Sequence, residues 1–169
     1  MRPEKSYNGQ LMKTGKTNED IILNWLQTLG RDVIDFREFR LAQRIDVDFG
    51  IETLDKNILL AEIKSDKWIS ESGNLCFENN RINHFADNKW FYLGWGWRSP
   101  AQNLIVRNPL NGETFIFDFF LLRKEIAKII GEEGKNTKII ITETDNQKTT
   151  FNFLIPMIKL KSYKKYFIN

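Results

Sequence analysis

Apolar residues along the chain fall into short blocks whose spacing alternates between the helical period of about 3.6 and the strand period of 2. In TNEDIILNWLQTLG, Ile22, Trp25, Leu26 and Leu29 recur on one helical face. That block predicts a helix capped by Thr17 or Asn18 and stopped at Gly30. Glu19 and Asp20 then fall in its first turn, where the helix dipole favours negative charge. The polar residues before it, roughly the first 15, predict a loose lead-in. Val33 to Phe39 mixes apolar with charged positions and reads as a strand or extended arm. IDVDFGIETL and NILLAEIKSD alternate, and predict two strands joined by a turn at Asp55-Lys56-Asn57. GNLCFE, introduced by Ser72-Gly73, predicts a third strand. Arg81–Asp87 then predicts a short helix, and KWFYLGWGW an apolar strand central to the sheet.

Further along, Asn103–Arg107 and Thr114–Phe117 predict strands. Phe119–Ile130 predicts a helix stopped by Gly131. KIIITET and TTFNFLI predict strands around a turn at Asp145-Asn146, with Pro156 as the end of the second. The closing IKLKSYKKYF fits a helix or an extended segment equally well. Helix, three strands, helix, strand is a mixed α/β plan with one sheet as its spine. It predicts a single domain, with a core over residues 17–97 and an α/β extension over residues 98–169.

Composition adds bounds. A chain of 169 residues, 41% hydrophobic and 28% charged, buries a core without disulfide help. Its lone cysteine, Cys76, excludes an internal disulfide and fits a reducing cytoplasm. No apolar run reaches the roughly 18–20 residues of a membrane span, and MRPEKSYNGQ lacks the apolar centre of a signal peptide. The expectation is therefore a cytoplasmic protein without membrane contact. The net charge of +3 is unevenly spread: from Phe119 onward there are ten Lys/Arg against five Asp/Glu, and before it fifteen against seventeen. The basic part, with Lys159, Lys161, Lys164 and Lys165 interleaved with Tyr163 and Tyr166, suits contact with phosphates. A solvated lysine-rich surface is the plainer alternative.

The paired strands carry the chemistry. Alternation places Val47, Phe49 and Ile51 on one face and Asp46, Asp48 and Gly50 on the other. On the partner strand Leu59, Ala61 and Ile63 share a face, and Glu62 and Lys64 the opposite one. A turn centred near Asp55 sets Asp48 opposite Glu62 and Asp46 opposite Lys64, with Cβ separations of about 4.5–5.5 Å. Carboxylates that close repel unless a proton or a cation lies between them. Hard oxygen donors at this spacing suit Mg²⁺, which takes one or two carboxylates plus waters and phosphate oxygens. A lysine alongside can orient an attacking water and offset charge on a phosphate.

An Asp near the start of one strand followed by Glu-x-Lys on the next resembles the signature of the PD-(D/E)XK nucleases, matched here by Asp48 and by Glu62-Ile63-Lys64. EIKSD followed by SGNLCFE is similar to a small-nuclease subset that includes phage-borne proteins. The resemblance covers Thr17 to Trp95 and leaves the last third unmatched. It implies a restriction-endonuclease-like αβββαβ core and a Mg²⁺-dependent nuclease, with Mn²⁺ as a substitute. Asp48, Glu62 and the Ile63 carbonyl would hold the ion, and Lys64 would position the nucleophile. Glu19 occupies the place of the acidic residue such proteins often carry on the first helix, and Glu78 that of a Glu or Gln on the third strand. Val47 stands where the signature has proline. Asp46 competes with Asp48, and as the non-principal residue it would take a supporting or second-metal place. The implied partner is nucleic acid, DNA before RNA, and cutting both strands of a duplex makes a homodimer plausible.

Each assignment has a plainer counterpart. Glu62 and Lys64 could be an exposed ion pair on a hairpin, and Glu19 could only complement a helix dipole. Cys76 reads as a small buried residue, Asp66 as a turn residue, and His84, which could touch phosphate, as a surface residue or one that supports the site from behind. Trp90, Phe91, Tyr92, Trp95 and Trp97 could stack on bases; Trp90, Phe91 and Tyr92 read rather as core, whereas Trp97 and Arg98, beside a loop, read as nucleic-acid contacts. A non-catalytic binding module on the same fold is the rival function.

Overall fold

A computed structural model describes the backbone of residues 5–85, 88–134, 137–144 and 148–168, and side chains over 17–83, 90–134, 137–143 and 148–168. Helix α1 (Lys5–Thr28) leads into strand β1 (Val33–Asp35), the short helix α2 (Arg40–Arg44), and strands β2 (Phe49–Glu52) and β3 (Ile58–Ser65). Then come α3 (Ile69–Ser72), β4 (Asn74–Phe85), β5 (Asn88–Leu93), α4 (Trp95–Arg98), β6 (Asn103–Arg107) and β7 (Glu113–Asp118). Helix α5 (Phe119–Glu133), strands β8 (Ile139–Thr144) and β9 (Lys148–Pro156), a 3₁₀ turn (Met157–Lys159) and β10 (Tyr163–Phe167) complete the chain. The protein is a mixed α/β fold. A six-stranded mixed sheet runs in the order β1-β2-β3-β6-β7-β10, and a four-stranded antiparallel sheet in the order β5-β4-β9-β8.

Parity along β2 and β3 builds the centre. Phe49 pairs with Ala61 and Ile51 with Leu59, the register that a turn at Asp55 requires. The turn is closed by Thr53 and Asn57, with Lys56 at φ 60°. Phe49, Ala61, Ile63 and Ile105 are buried on one face against Ile22 and Leu26 of α1. The other face looks toward a larger core, where Leu104, Val106 and Phe117 meet Phe77 and Leu75 of the second sheet and Phe119, Leu122 and Ile126 of α5. Strand β3 runs parallel to β6, Glu62 beside Leu104 and Lys64 beside Val106, and apolar clusters cover both faces of the sheet there.

Several expectations change. Helix α1 begins at Lys5, so Thr17 and Asn18 lie inside it and cap nothing. Asn18 is instead buried: Arg107 Nη1 donates to its Oδ1, and its Nδ2 donates to Ser65 Oγ at 2.9 Å. Glu19 is accordingly an interior helix residue. Gly30 does end the helix, at φ 68°. Arg81–Phe85 is strand, because it pairs with β5 on one side and β9 on the other; Asp87, the end of the expected helix, lies outside the described residues. GNLCFE opens a strand of the second sheet, not of the central one. KWFYL is an edge strand of that sheet, with Trp90, Phe91 and Leu93 exposed, so the core assignment of this run fails. Its GWGW continuation is a helical turn. Helix α5 runs through Gly131 and ends at Gly134, at φ 54°. The C-terminal tail is extended and supplies β10, while β6 and β7 lie in the central sheet itself. The Asp145-Asn146 turn lies outside the described residues.

Candidate active site at the ends of β2 and β3

The β2–β3 register, carried one step past Phe49 and Ala61, reaches Asp48 and Glu62. Asp48 N–H donates to the Ala61 carbonyl at 2.9 Å, which holds the two strands together there. The Asp48 carboxylate accepts the Ile63 N–H at 2.8 Å and the Gln43 side-chain amide at 3.3 Å. Asp48 and Glu62 are both buried, at 7% and 2% exposure. Glu62 Oε1 takes the Lys64 ammonium, while Glu62 Oε2 is buried with no hydrogen-bond partner. Burial pushes the Glu62 carboxyl up to about 8, and Asp48 adds to the rise, although Lys64 opposes it. For Lys64, burial works against the charged form, but Glu62, Asp48 and Asp46 outweigh it and hold the ammonium above its ordinary range. The ammonium also lies 5.3 Å from the centre of the Trp95 ring.

Asp46 is bound by Arg98 and Ser99, although its charge still acts on Lys64. Its backbone is left-handed, at φ 56°, so the chain leaves the strand path before it. Its Oδ2 accepts from Arg98 Nε at 2.8 Å, and its carbonyl accepts Ser99 Oγ at 2.6 Å. Asp48 is therefore the carboxylate that stands with Glu62. Glu19 approaches from α1 and is half-buried; burial and Asp48 raise its pKa, while Arg37, 3.6 Å from Glu19 Oε2, and Lys64 lower it. Glu78 is half-buried on β4. Among the described residues no three His, Cys, Asp or Glu side chains form a metal-binding group, so neither Glu19 nor Glu78 completes one with Asp48 and Glu62.

Other expected residues lie apart from this centre. Trp97 packs against Phe77 and donates to Asn79 at 2.7 Å, and Arg98 is committed to Asp46. Lys159 pairs with Glu133 and Lys165 with Glu113. Lys161 is exposed, and Lys164 and Lys165 sit on β10, three places from β3 in the sheet order. Asp66 is the turn residue expected, accepting the Trp68 N–H at 2.9 Å. Cys76 is half-buried, and burial raises its thiol to about 11. The His84 side chain lies outside the described residues. Sequence reasoning missed Gln43 and Arg37, while Trp95, a candidate for base stacking, packs over the Lys64 ammonium. Gln43 follows an Arg-rich stretch with no clear period. Only the i, i+5 relation of Gln43 to Asp48 hinted at contact, and it is too weak to use.

No protein-family model matches the chain, and no curated protein matches it. Its structure is similar to the solved structure of a bacterial homing endonuclease, I-Ssp6803I, with a TM-score of 0.50 and 14% sequence identity, over 67% of this chain and 72% of that one. At that identity the likeness shows a shared mixed α/β fold and nothing beyond it.

Proposed function

We propose that the chain is a Mg²⁺-dependent nuclease that hydrolyses phosphodiester bonds, an endonuclease acting on DNA, with Mn²⁺ able to substitute. The observation that carries this is the orphaned, buried Glu62 Oε2 beside the Asp48 carboxylate. An uncompensated buried carboxylate oxygen is costly, and two carboxylates with free lone pairs fit a hard divalent cation. The donor set therefore suits the ion that the PD-(D/E)XK resemblance implies. Asp48, Glu62 and the Ile63 carbonyl would hold it, and Glu19 would reach it through water. When bound, such an ion polarises a phosphoryl oxygen and lowers the pKa of a coordinated water.

The chain's own residues do the rest. The Ile63 N–H and the Gln43 amide fix the Asp48 carboxylate. The Lys64 ammonium stays charged and offsets negative charge gathering on the phosphate. Apolar cover on both faces of the sheet keeps the surroundings low in dielectric, which strengthens each of these interactions. The shared fold with a homing endonuclease supports the nuclease class and nucleic acid as partner.

Incubating the protein with plasmid, oligonucleotide duplex, single-stranded DNA and RNA, in Mg²⁺ or in EDTA, tests the reading. Wild type is expected to cleave DNA in Mg²⁺ or Mn²⁺ and not in EDTA, and Lys64→Ala to be slower by about a hundredfold or more. Wild type inert on every substrate in Mg²⁺ and Mn²⁺ would overturn it.

A further inference from the structure

A cavity of about 550 Å³ opens beside Lys64, within the ~300–1,000 Å³ usual for small-ligand sites. We propose that it seats one unstacked nucleobase of the substrate, so that the enzyme acts where a base is unpaired or turned out of its duplex. This deepens the nuclease reading and rests on it.

The lining gives the argument. Lys64 and Ser65 come from the end of β3, Cys76 and Asn74 from β4, and Leu154 and Asn152 from β9. The cavity therefore lies between the catalytic strand and the face of the second sheet, with Trp68 and Trp95 as its aromatic walls. Trp95 is held in place by Phe77 and Phe119, at ring-centre distances of 5.5 and 6.1 Å. Trp68 is 58% exposed at the mouth, with the Lys67 ammonium 4.8 Å from its ring centre. A flat apolar ligand with a polar edge suits these walls, with the amide oxygens of Asn74 and Asn152 on one side, their nitrogens donating to Ser72, Thr142 and Thr150. These walls suit a base better than a run of phosphates, because among the described lining residues Lys64 is the only cation, with Lys67 at the Trp68 rim.

Connectivity supplies the rest. Lys64 belongs both to the cavity and to the Glu62 pair. A base and its own phosphate are separated by a single sugar, so a base seated here brings its phosphate to Lys64. Past the cavity the same sheet face continues from Asn152 to Thr150 and Thr142, which share hydrogen bonds. Beside Thr150 is Arg81, set over the Tyr92 ring at 5.5 Å, with its Nε buried and unpartnered. A guanidinium on an aromatic face suits the neighbouring phosphate and base of the same strand.

Binding is measured by fluorescence anisotropy in Ca²⁺, with three labelled DNA probes of one sequence: the single strand, the perfect duplex, and the duplex with a central mismatch. Wild type is compared with Trp68→Ala, which removes an exposed wall, and Leu154→Trp, which fills the cavity. Both variants are expected to bind the preferred probe about tenfold more weakly, the worth of one stacked base. If the strand is taken already single, the single strand binds best and the perfect duplex poorly. If the base is turned out, the mismatched duplex binds best. Either pattern, lost in both variants, supports the proposal. Unchanged affinities in both variants for every probe would overturn it. Cleavage in Mg²⁺, scored on the same probes, separates the two readings. Cleavage with variant-insensitive binding removes the base site and leaves the nuclease. Variant-sensitive binding without cleavage removes the nuclease and leaves the base site.

Discussion

Glu62 is the residue on which the local energetics turn. Its folded pKa of about 8 lies above the ordinary carboxylate value of 4.5, so the folded metal-free chain holds a proton that the unfolded chain releases. The stabilising effect of that proton is complete below the unfolded pKa and is lost as pH rises through about 8. The metal-free protein should therefore melt lower at about pH 9 than at about pH 6, other groups being equal. A divalent cation needs the deprotonated form, so metal binding expels the proton. Mn²⁺ affinity, followed by calorimetry, should climb close to tenfold per pH unit up to about 8 and then level. A flat profile would mean that Glu62 is already ionised or is not a ligand. Asn18 carries a second residue-scale prediction. It satisfies a buried Arg107 Nη1, so Asn18→Ala should cost about 1–3 kcal/mol in denaturant melts, against a few tenths for an exposed position. The sequence made Asn18 look like a cap because its short polar side chain precedes an acidic pair. Its true partner lies 89 residues away, and no local pattern encodes that.

At the scale of elements, the approach of α4 to β4 sets where Trp95, and through it Lys64, is held. A Cβ on Gly96 would meet the Phe77 ring at 2.4 Å, and one on Gly94 the Glu78 carbonyl at 2.3 Å. Neither neighbour is a flexible side-chain tip. Gly96→Ala should therefore destabilise by about 2 kcal/mol or more and weaken any Lys64-dependent activity along with it, read by melts and initial rates. The pairing of β2 with β3 was legible in the chain, because a two-residue alternation on both strands and a short polar turn fix one register. The nature of the segment at Arg81 was not. RINHF has no decisive period, and only pairing with β5 and β9 makes it strand. The aromatic run at Trp90–Tyr92 misled in another way. Hydrophobicity shows that a strand favours apolar contact but not whether the fold places it centrally, and here it lies at an edge.

Across the whole molecule, the candidate site lies where α1, the β2–β3 pair and the second sheet converge. That explains why the motif was readable while its surroundings were not. Asp48, Glu62 and Lys64 are close in sequence and are brought together by one hairpin, whereas the wall facing Lys64 comes from β4, β9 and Trp95. The basic tail attracted attention for its charge alone, yet β10 closes the far edge of the central sheet and two of its neighbourhood's lysines are paired with Glu133 and Glu113. Replacing Lys161 and Lys164 with alanine should leave the melting temperature within about 1 kcal/mol equivalent of wild type, and lower affinity for nucleic acid only through its salt-dependent part.

Diffraction from crystals grown with Mn²⁺, recorded at an energy where manganese scatters anomalously, bears most directly on the central claim. An anomalous peak is expected within coordination distance of both an Asp48 oxygen and Glu62 Oε2, and none in crystals of Asp48→Asn. A protein saturated with Mn²⁺ that shows no peak between these carboxylates, or a peak bound elsewhere and untouched by Asp48→Asn, would contradict it.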